Sequence, residues 1–344
     1  MVLQGYPDPG EGLRLQLNEN TGGCSARVLE AIRHVRPTDV STYPQYREVV
    51  AATARHFGVD PDWVLLTNGL DEGILMAAIA HIAKPRVHDA ETIIPQPAFD
   101  PYPNSTTAVG ATAVWVPPGP DYAFPTQAVI DAVTPRTRMI FLNTPNNPTG
   151  QLIPIADMER ICQAAPHAVV LIDEAYIEFG GTTFLPQLAR YPNVLLGRTF
   201  SKAYGLAGLR VGVVMGQAQA LDPVRAVTLP FNINGVAMTA VQAALDDTEF
   251  LPRYAAQVHE SRERLYAACR RHGLTFWPSA ANYVMVRIDD PALFVAAMSA
   301  RQIHVRDRSK DSTTPGCIRI TAGITAHTDA AIDALDAVMT SRQG

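Results

Sequence analysis

The feature that most constrains this chain is a series of short, continuously apolar runs, each closed by polar residues and separated by helical spacing. Arg138-Met-Ile-Phe-Leu-Asn143 reads as a buried strand ending in the turn-rich Thr144-Pro-Asn-Asn-Pro-Thr-Gly150. Ala168-Val-Val-Leu-Ile172 reads as a second strand and Val194-Leu-Leu-Gly-Arg198 as a third, with helical spacing over Ile155 to Ala165 between the first two. Strands that are apolar at every residue need cover on both faces. With helices between them they make an α/β fold whose sheet is mostly parallel. Ligands of such sheets sit beyond the carboxyl ends of the strands, which is where the chemistry is to be sought.

The texture changes after Pro230. A long helical pattern runs from about Val236 to His272, followed by a strand (Tyr283 to Ile288), a helix (Pro291 to Gln302), short strands around Val305 and Ile318, and a closing helix near Ala326 to Thr340. A chain of 344 residues exceeds the size of one hydrophobic core, so two domains are expected. The expected division is an N-terminal arm and part of the small domain over 1–36, a large domain over 37–235 and a smaller C-terminal α/β domain over 236–344. A net charge of −5 provides no general field for nucleic acid or anionic membrane, so binding of an anionic substrate falls to a few local arginines. Cys24, Cys162, Cys269 and Cys317 lie far apart without metal-type spacing and read as free thiols of a reducing compartment. Met1 to Gly12 lacks a signal-peptide apolar core, and no apolar run reaches the roughly 18 residues of a membrane span. A cytoplasmic protein with no membrane partner and no bound metal is expected.

Three strand ends carry polar groups. The first leads to Asn147, the second to Asp173 with Glu174-Ala175-Tyr176, and the third to Ser201-Lys202 and on to Arg210. Taken singly, the Asn-Asn-Pro-Thr-Gly segment is also compatible with a plain turn, Asp173 with a helix cap and Lys202 with a solvated surface amine. Together they place a carboxylate, a phenol, an amide, an amine and a guanidinium at neighbouring strand ends. Pyridoxal-phosphate chemistry uses that inventory. An amine forms the Schiff base and later moves the proton. A carboxylate keeps the pyridine nitrogen protonated. A helix N-terminus, a hydroxyl and an arginine hold the phosphate.

Leu142 to Gly150, Ile172-Asp-Glu-Ala-Tyr-Ile-Glu-Phe179 and Ser201-Lys-Ala-Tyr-Gly-Leu-Ala-Gly-Leu-Arg-Val-Gly212 resemble fold-type I pyridoxal-phosphate aminotransferases, and most of all histidinol-phosphate aminotransferases. Leu17-Asn-Glu-Asn20, Tyr43-Pro44, Asn68-Gly-Leu-Asp-Glu72, Pro230-Phe-Asn-Ile-Asn234, Ala281-Asn-Tyr283 and Arg319-Ile-Thr-Ala-Gly323 extend the resemblance over nearly the whole chain. The resemblance implies that Lys202 is the Schiff-base lysine, that Asp173 pairs with the pyridine nitrogen, and that Asn147 and Tyr176 contact the ring oxygen. It implies that Ser201, Arg210 and the backbone N–H groups of Leu70 and Asp71 bind the cofactor phosphate, the last two at a helix start. Phe99 matches the aromatic that stacks on the ring, with Tyr102 as the nearby competitor and ordinary core packing as the other reading. Tyr43 matches a tyrosine that reaches the phosphate of a neighbouring subunit, which implies a homodimer with shared sites; the alternative is a surface tyrosine.

For the substrate, the resemblance implies that Arg319, on the apolar Cys317-Ile-Arg-Ile-Thr strand, and Arg306 hold an anion, and that Asn20 lies at the substrate. Amino donors and 2-oxo acids are the implied partners. Thr21-Gly22-Gly23-Cys24 departs from the family in lacking an aromatic after the Leu-Asn-Glu-Asn segment, and a flexible Gly-Gly loop there is expected to leave room for a bulkier substrate. Three readings therefore stay open: histidinol-phosphate transamination with 2-oxoglutarate in histidine biosynthesis, transamination of aromatic or other amino acids, and lyase, decarboxylase or cyclase chemistry on the same scaffold.

Overall fold

The structure is a computed structural model that describes residues 10–83 and 89–343. Most of the Met1–Gly12 stretch and the first nine residues of the expected N-terminal arm lie outside the described residues.

The strand runs form a seven-stranded sheet built from β2 (Val64–Thr67), β3 (Glu91–Pro95), β4 (Thr112–Val116), β5 (Thr137–Asn143), β6 (Val169–Asp173), β7 (Val194–Thr199) and β8 (Gly212–Met215), in the order β2-β8-β7-β6-β5-β3-β4. Only β8 runs against its neighbours; every other pairing is parallel. Continuous apolarity has its predicted cause. On β5 and β6, Ile140, Leu142, Val170 and Ile172 enter one core, while the alternate residues Met139, Phe141, Val169 and Leu171 enter another on the opposite face. A parallel strand buried on both sides has no solvent face to make polar. The three anticipated strands fall within one or two residues of their observed bounds, and the helix between the first two spans Ile155–Ala164.

A second, four-stranded antiparallel sheet has the order β12 (Arg306–Asp307), β13 (Cys317–Thr321), β10 (Tyr283–Arg287), β9 (Phe276–Trp277). Ile318 and Ile320 of β13 and Val284 and Val286 of β10 point into a third core, packed with Val258, Leu265, Leu335 and Val338 from two helices. Cys317 and Met285 belong to a small separate cluster, and Arg319 is the direct partner of Met285, so the alternate residues of β13 occupy the other face. The segment ahead of the large sheet joins this region: β1 (Leu13–Arg14) pairs in parallel with β11 (Ile303–His304).

The helical pattern from Val236 to His272 is not one helix. It splits into Gly235–Leu245 and Phe250–Arg271. The break falls on Asp246-Asp247-Thr248-Glu249, where acidic side chains would sit at the negative end of the first helix dipole. Arg27 donates to the Asp246 carbonyl at 3.3 Å and satisfies part of that helix end. Asn234 caps the start of the first helix by accepting from the Ala237 N–H at 2.8 Å.

Candidate active site

The carboxyl ends of β5, β6 and β7 open into one cleft between the two sheets. Asn147, Tyr176, Ser201, Lys202, Arg210, Phe99, Asp71, Arg306 and Arg319 all line it. Leu70 and Asp173 join Lys202 and Arg210 in an adjoining part of it. Adjacent parallel strands bring the polar groups together: Asn143, the last residue of β5, is the direct partner of Asp173, the last residue of β6.

Asp173 is 2% exposed, and both of its oxygens are engaged. Oδ1 accepts from the Ala175 N–H at 2.9 Å and Oδ2 from the Tyr102 hydroxyl at 2.6 Å. Burial lifts its pKa to about 6, against those two donors. No ion pair among the described residues reaches it, so the carboxylate is held without a cation. Lys202 Nζ donates to the Leu17 carbonyl at 2.9 Å and lies 5.8 Å from the centre of the Tyr176 ring. The Tyr176 hydroxyl accepts from Asn18 Nδ2 at 3.0 Å.

At one wall, the helix Leu70–Ala78 begins at Gly69 with φ at 77° and no side-chain cap. Leu70 and Asp71 at its start line the cleft beside the Arg210 guanidinium, which is 3.0 Å from Asp71 Oδ2. The positive φ at this turn favours glycine, and a Cβ on Gly69 would come within 2.6 Å of Arg210 Nη2 and push that guanidinium aside. Ser201 is buried, and its N–H donates to Thr199 Oγ1 at 3.1 Å. These groups form a cradle for a small dianion.

The opposite wall is built differently. Arg319 on β13 is 5% exposed, donates to the Asn147 side-chain oxygen, donates to the Gln16 carbonyl at 2.8 Å and lies 5.2 Å from the Tyr283 ring centre. Its buried Nε has no hydrogen-bond partner. Arg306 on β12 is the direct cross-strand partner of Arg319. Like charges placed opposite each other destabilise a sheet. Burial, with the charges of Arg308 and Arg306, pulls the Arg319 pKa down.

A family model for aminotransferases of class I and II matches residues 11–335. The chain belongs to that family. This aminotransferase is 34% identical over 339 residues to histidinol-phosphate aminotransferase 2 of Pseudomonas fluorescens, covering 96% of this chain and 90% of the relative. It is 36% identical over 337 residues to histidinol-phosphate aminotransferase 2 of Ralstonia nicotianae, covering 95% and 88%. The solved histidinol-phosphate aminotransferase of Sinorhizobium meliloti, in complex with pyridoxal-5'-phosphate, matches with a TM-score of 0.85 and 28% identity over 96% of this chain and 92% of that one.

Two anticipated residues of the aminotransferase do not line the cleft. Asn20 donates to the Ala203 carbonyl at 3.0 Å and accepts from the Gly22 N–H at 2.9 Å, so it ties its loop to the residue after Lys202. Tyr43 is 73% exposed and stacks on Phe231 with ring centres 4.3 Å apart. The Thr21-Gly22-Gly23 stretch is a pinned turn rather than a loose loop. Thr21 Oγ1 accepts from the Ile324 N–H at 2.9 Å, the Gly23 N–H donates to the Asn20 carbonyl at 3.1 Å, and a Cβ on Gly22 would lie 2.9 Å from Ile324 Cγ2. Tyr102 and Phe99, competitors in the sequence, separate clearly: Phe99 lines the cleft while Tyr102 lies behind it against Asp173.

Sequence reasoning passed over Arg308, which also lines the cleft. Its Nε is buried without a hydrogen-bond partner and its Nη2 lies 3.3 Å from Asp311 Oδ2. It follows a strand of two residues, Arg306–Asp307, too short for alternation to mark its face from sequence.

Proposed function

We propose that this aminotransferase holds pyridoxal 5'-phosphate on Lys202 and transfers an amino group between histidinol phosphate and 2-oxoglutarate, a step of histidine biosynthesis. The observation that carries the reading is one cleft with a lysine amine and a buried carboxylate at one end and three guanidinium groups at the other. The residues fit the cofactor. Asp173 is a buried carboxylate that lacks a cation, and the Gly69 turn, the uncapped helix start and Arg210 form an anion cradle. Bound there, the cofactor supplies an electron sink for the charge released when a substrate C–H bond breaks.

In this reading Asp173 keeps a cationic ring nitrogen in place, and Asn147 and Tyr176 orient the ring oxygen. Ser201, Arg210 and the N–H groups of Leu70 and Asp71 fix the phosphate, and Phe99 packs on the ring face. Lys202 Nζ takes the proton from the substrate carbon. Arg319, Arg306 and Arg308 take the substrate anion, and a planar guanidinium fork suits both a phosphate and a carboxylate. Asn20 acts through the loop it ties to Ala203. The two sheets with their separate cores serve as a large cofactor-binding unit (37–235) and a smaller unit (1–36 with 236–344) that carries the arginines.

The exposed Tyr43 and Phe231, with Val40 69% and Leu229 71% exposed, form an apolar patch suited to a second copy of this chain. In such a homodimer Tyr43 reaches the phosphate held by its partner. No helix among the described residues is long and apolar enough to cross a membrane, and the four cysteines are free, in keeping with a cytoplasmic enzyme. The test is a panel of half-reactions with purified enzyme. Histidinol phosphate should convert the bound cofactor far faster than phenylalanine or tyrosine does, and 2-oxoglutarate should convert it back. Faster reaction with the aromatic amino acids would assign the enzyme to them instead.

A further inference from the structure

One buried group touches Asp173 and has no part in the reading so far. Tyr102 sits in the first turn of the helix Pro101–Ala108 and is 2% exposed. Its hydroxyl is 2.6 Å from Asp173 Oδ2. Its ring stacks on Phe141 of β5, with centres 4.7 Å apart and planes at 12°, and meets the Phe99 ring edge-on at 5.8 Å and 84°. The ring is thus wedged between a strand side chain and the aromatic that lines the cleft. It cannot swing its hydroxyl away from Asp173 without losing both contacts.

We propose that Tyr102 is a positioning residue of the reaction: it holds the Asp173 carboxylate ionised and aimed into the cleft, and through Phe99 it braces the wall against which the cofactor ring lies. The inference rests on the reading of Asp173 given above. A carboxylate buried in a low-dielectric site tends toward neutrality, and donors to it favour the charged form. Tyr102 and the Ala175 N–H are those donors, working against burial and the nearby charges of Asp71 and Glu174. Tyr176, Lys202 and Arg210 line the same part of the cleft. The phenol cannot turn from donor to anion, because burial and the Asp173 charge push its pKa well above the ordinary 10. At 2.6 Å the contact has the length of a charge-assisted O–H···O⁻ bond, roughly twice the strength of a neutral one.

Without the hydroxyl, Asp173 would hold a proton more tightly, because the Tyr102 hydrogen bond favours its charged form. With the cofactor bound, Asp173 would then support a cationic ring nitrogen less well, and the pH at which the holoenzyme's visible absorption changes would rise. Tyr102→Phe retains the ring packing and removes only the donor, which separates positioning from filling space.

The experiment compares wild-type holoenzyme, Tyr102→Phe, Asp173→Asn and the double variant. In Tyr102→Phe the midpoint of the pH-dependent change in the cofactor's visible absorption, read without substrate, should move to higher pH by about half a unit or more. In the same variant kcat should fall about tenfold to a hundredfold with KM nearly unchanged. In the Asp173→Asn background the added Tyr102→Phe should change neither readout. If Tyr102→Phe does not accumulate as folded protein, Tyr102→His, which keeps a ring N–H donor, should fold and keep the midpoint near that of the wild type. An unmoved midpoint and wild-type kcat in Tyr102→Phe, beside a crippled Asp173→Asn, would overturn the inference and leave the reading of Asp173 intact. Near-normal turnover in Asp173→Asn would overturn that reading and the inference with it.

Discussion

The two walls of the cleft are organised on opposite principles. At the ends of β5, β6 and β7, the polar groups have their hydrogen bonds arranged in advance: Asp173 with two donors, Lys202 on a carbonyl, Asn147 with its N–H 2.7 Å from Asn143 Oδ1. At β12 and β13 three guanidinium groups face one cleft, two of them directly opposed across the strands, and the buried Nε atoms of Arg319 and Arg308 have no acceptor. The first wall is complete apart from a cation for Asp173. The second concentrates positive charge, with Asp311 Oδ2 3.3 Å from Arg308 Nη2. A preorganised wall suits chemistry common to every substrate, whereas a wall of clustered cations suits discrimination among anions, and we propose that division of labour here.

If the walls divide the work in this way, substitutions on the first should damage every half-reaction alike. The largest effect is expected from Lys202→Ala, which removes the amine at the reacting carbon and should lower turnover with any amino donor by about 10⁴-fold or more. Asp173→Asn comes next, with a loss of about 10³-fold across all donors in kcat assays and the fold unchanged by circular dichroism. A loss confined to one donor would break the comparison.

Substitutions on the second wall should cost less, and the arginine nearer its rim should discriminate between donors. Arg319→Lys keeps a charge but loses the fork, and should cost about 2 kcal/mol, roughly thirtyfold in kcat/KM, with both glutamate and histidinol phosphate. Arg308→Gln should be the smallest effect, because Asp311 already partners this group: about fivefold in kcat/KM for histidinol phosphate, with glutamate nearly unchanged. Equal losses for both donors in Arg308→Gln would place this arginine outside the phosphate contact.

The sequence revealed the first wall almost completely and the second only in part, and the reason is physical. Val169 to Asp173 is a continuous apolar strand closed by an acid, and strand-end chemistry follows from the rule that parallel sheets bind ligands at their carboxyl ends. The partner of that acid was hidden. Tyr102 reaches Asp173 from a helix 71 positions earlier in the chain, and nothing in its local spacing marks the contact. Arg319 was conspicuous as a charge on an apolar strand. Arg308 follows a strand of two residues, too short to show alternation. The turn at Thr21-Gly22-Gly23 misled for another reason. Glycine pairs read as freedom in a sequence, yet here Gly22 lies against Ile324, and Gly205, distant in the chain, lacks the Cβ that would strike the Gly23 carbonyl. The single long helix expected from Val236 to His272 failed because hydrophobic spacing continues across Asp246–Glu249 while the dipole disfavours acids at a helix end.

The most direct test of the account is where the cofactor attaches. Holoenzyme reconstituted with pyridoxal 5'-phosphate is reduced with borohydride, digested, and the modified peptide is sequenced by mass spectrometry. The account predicts a yellow protein that loses its visible band on reduction and carries the label stoichiometrically on Lys202, in the peptide containing Ser201-Lys202-Ala203-Tyr204. A label on another lysine, or a reconstituted protein with no visible band, would contradict it.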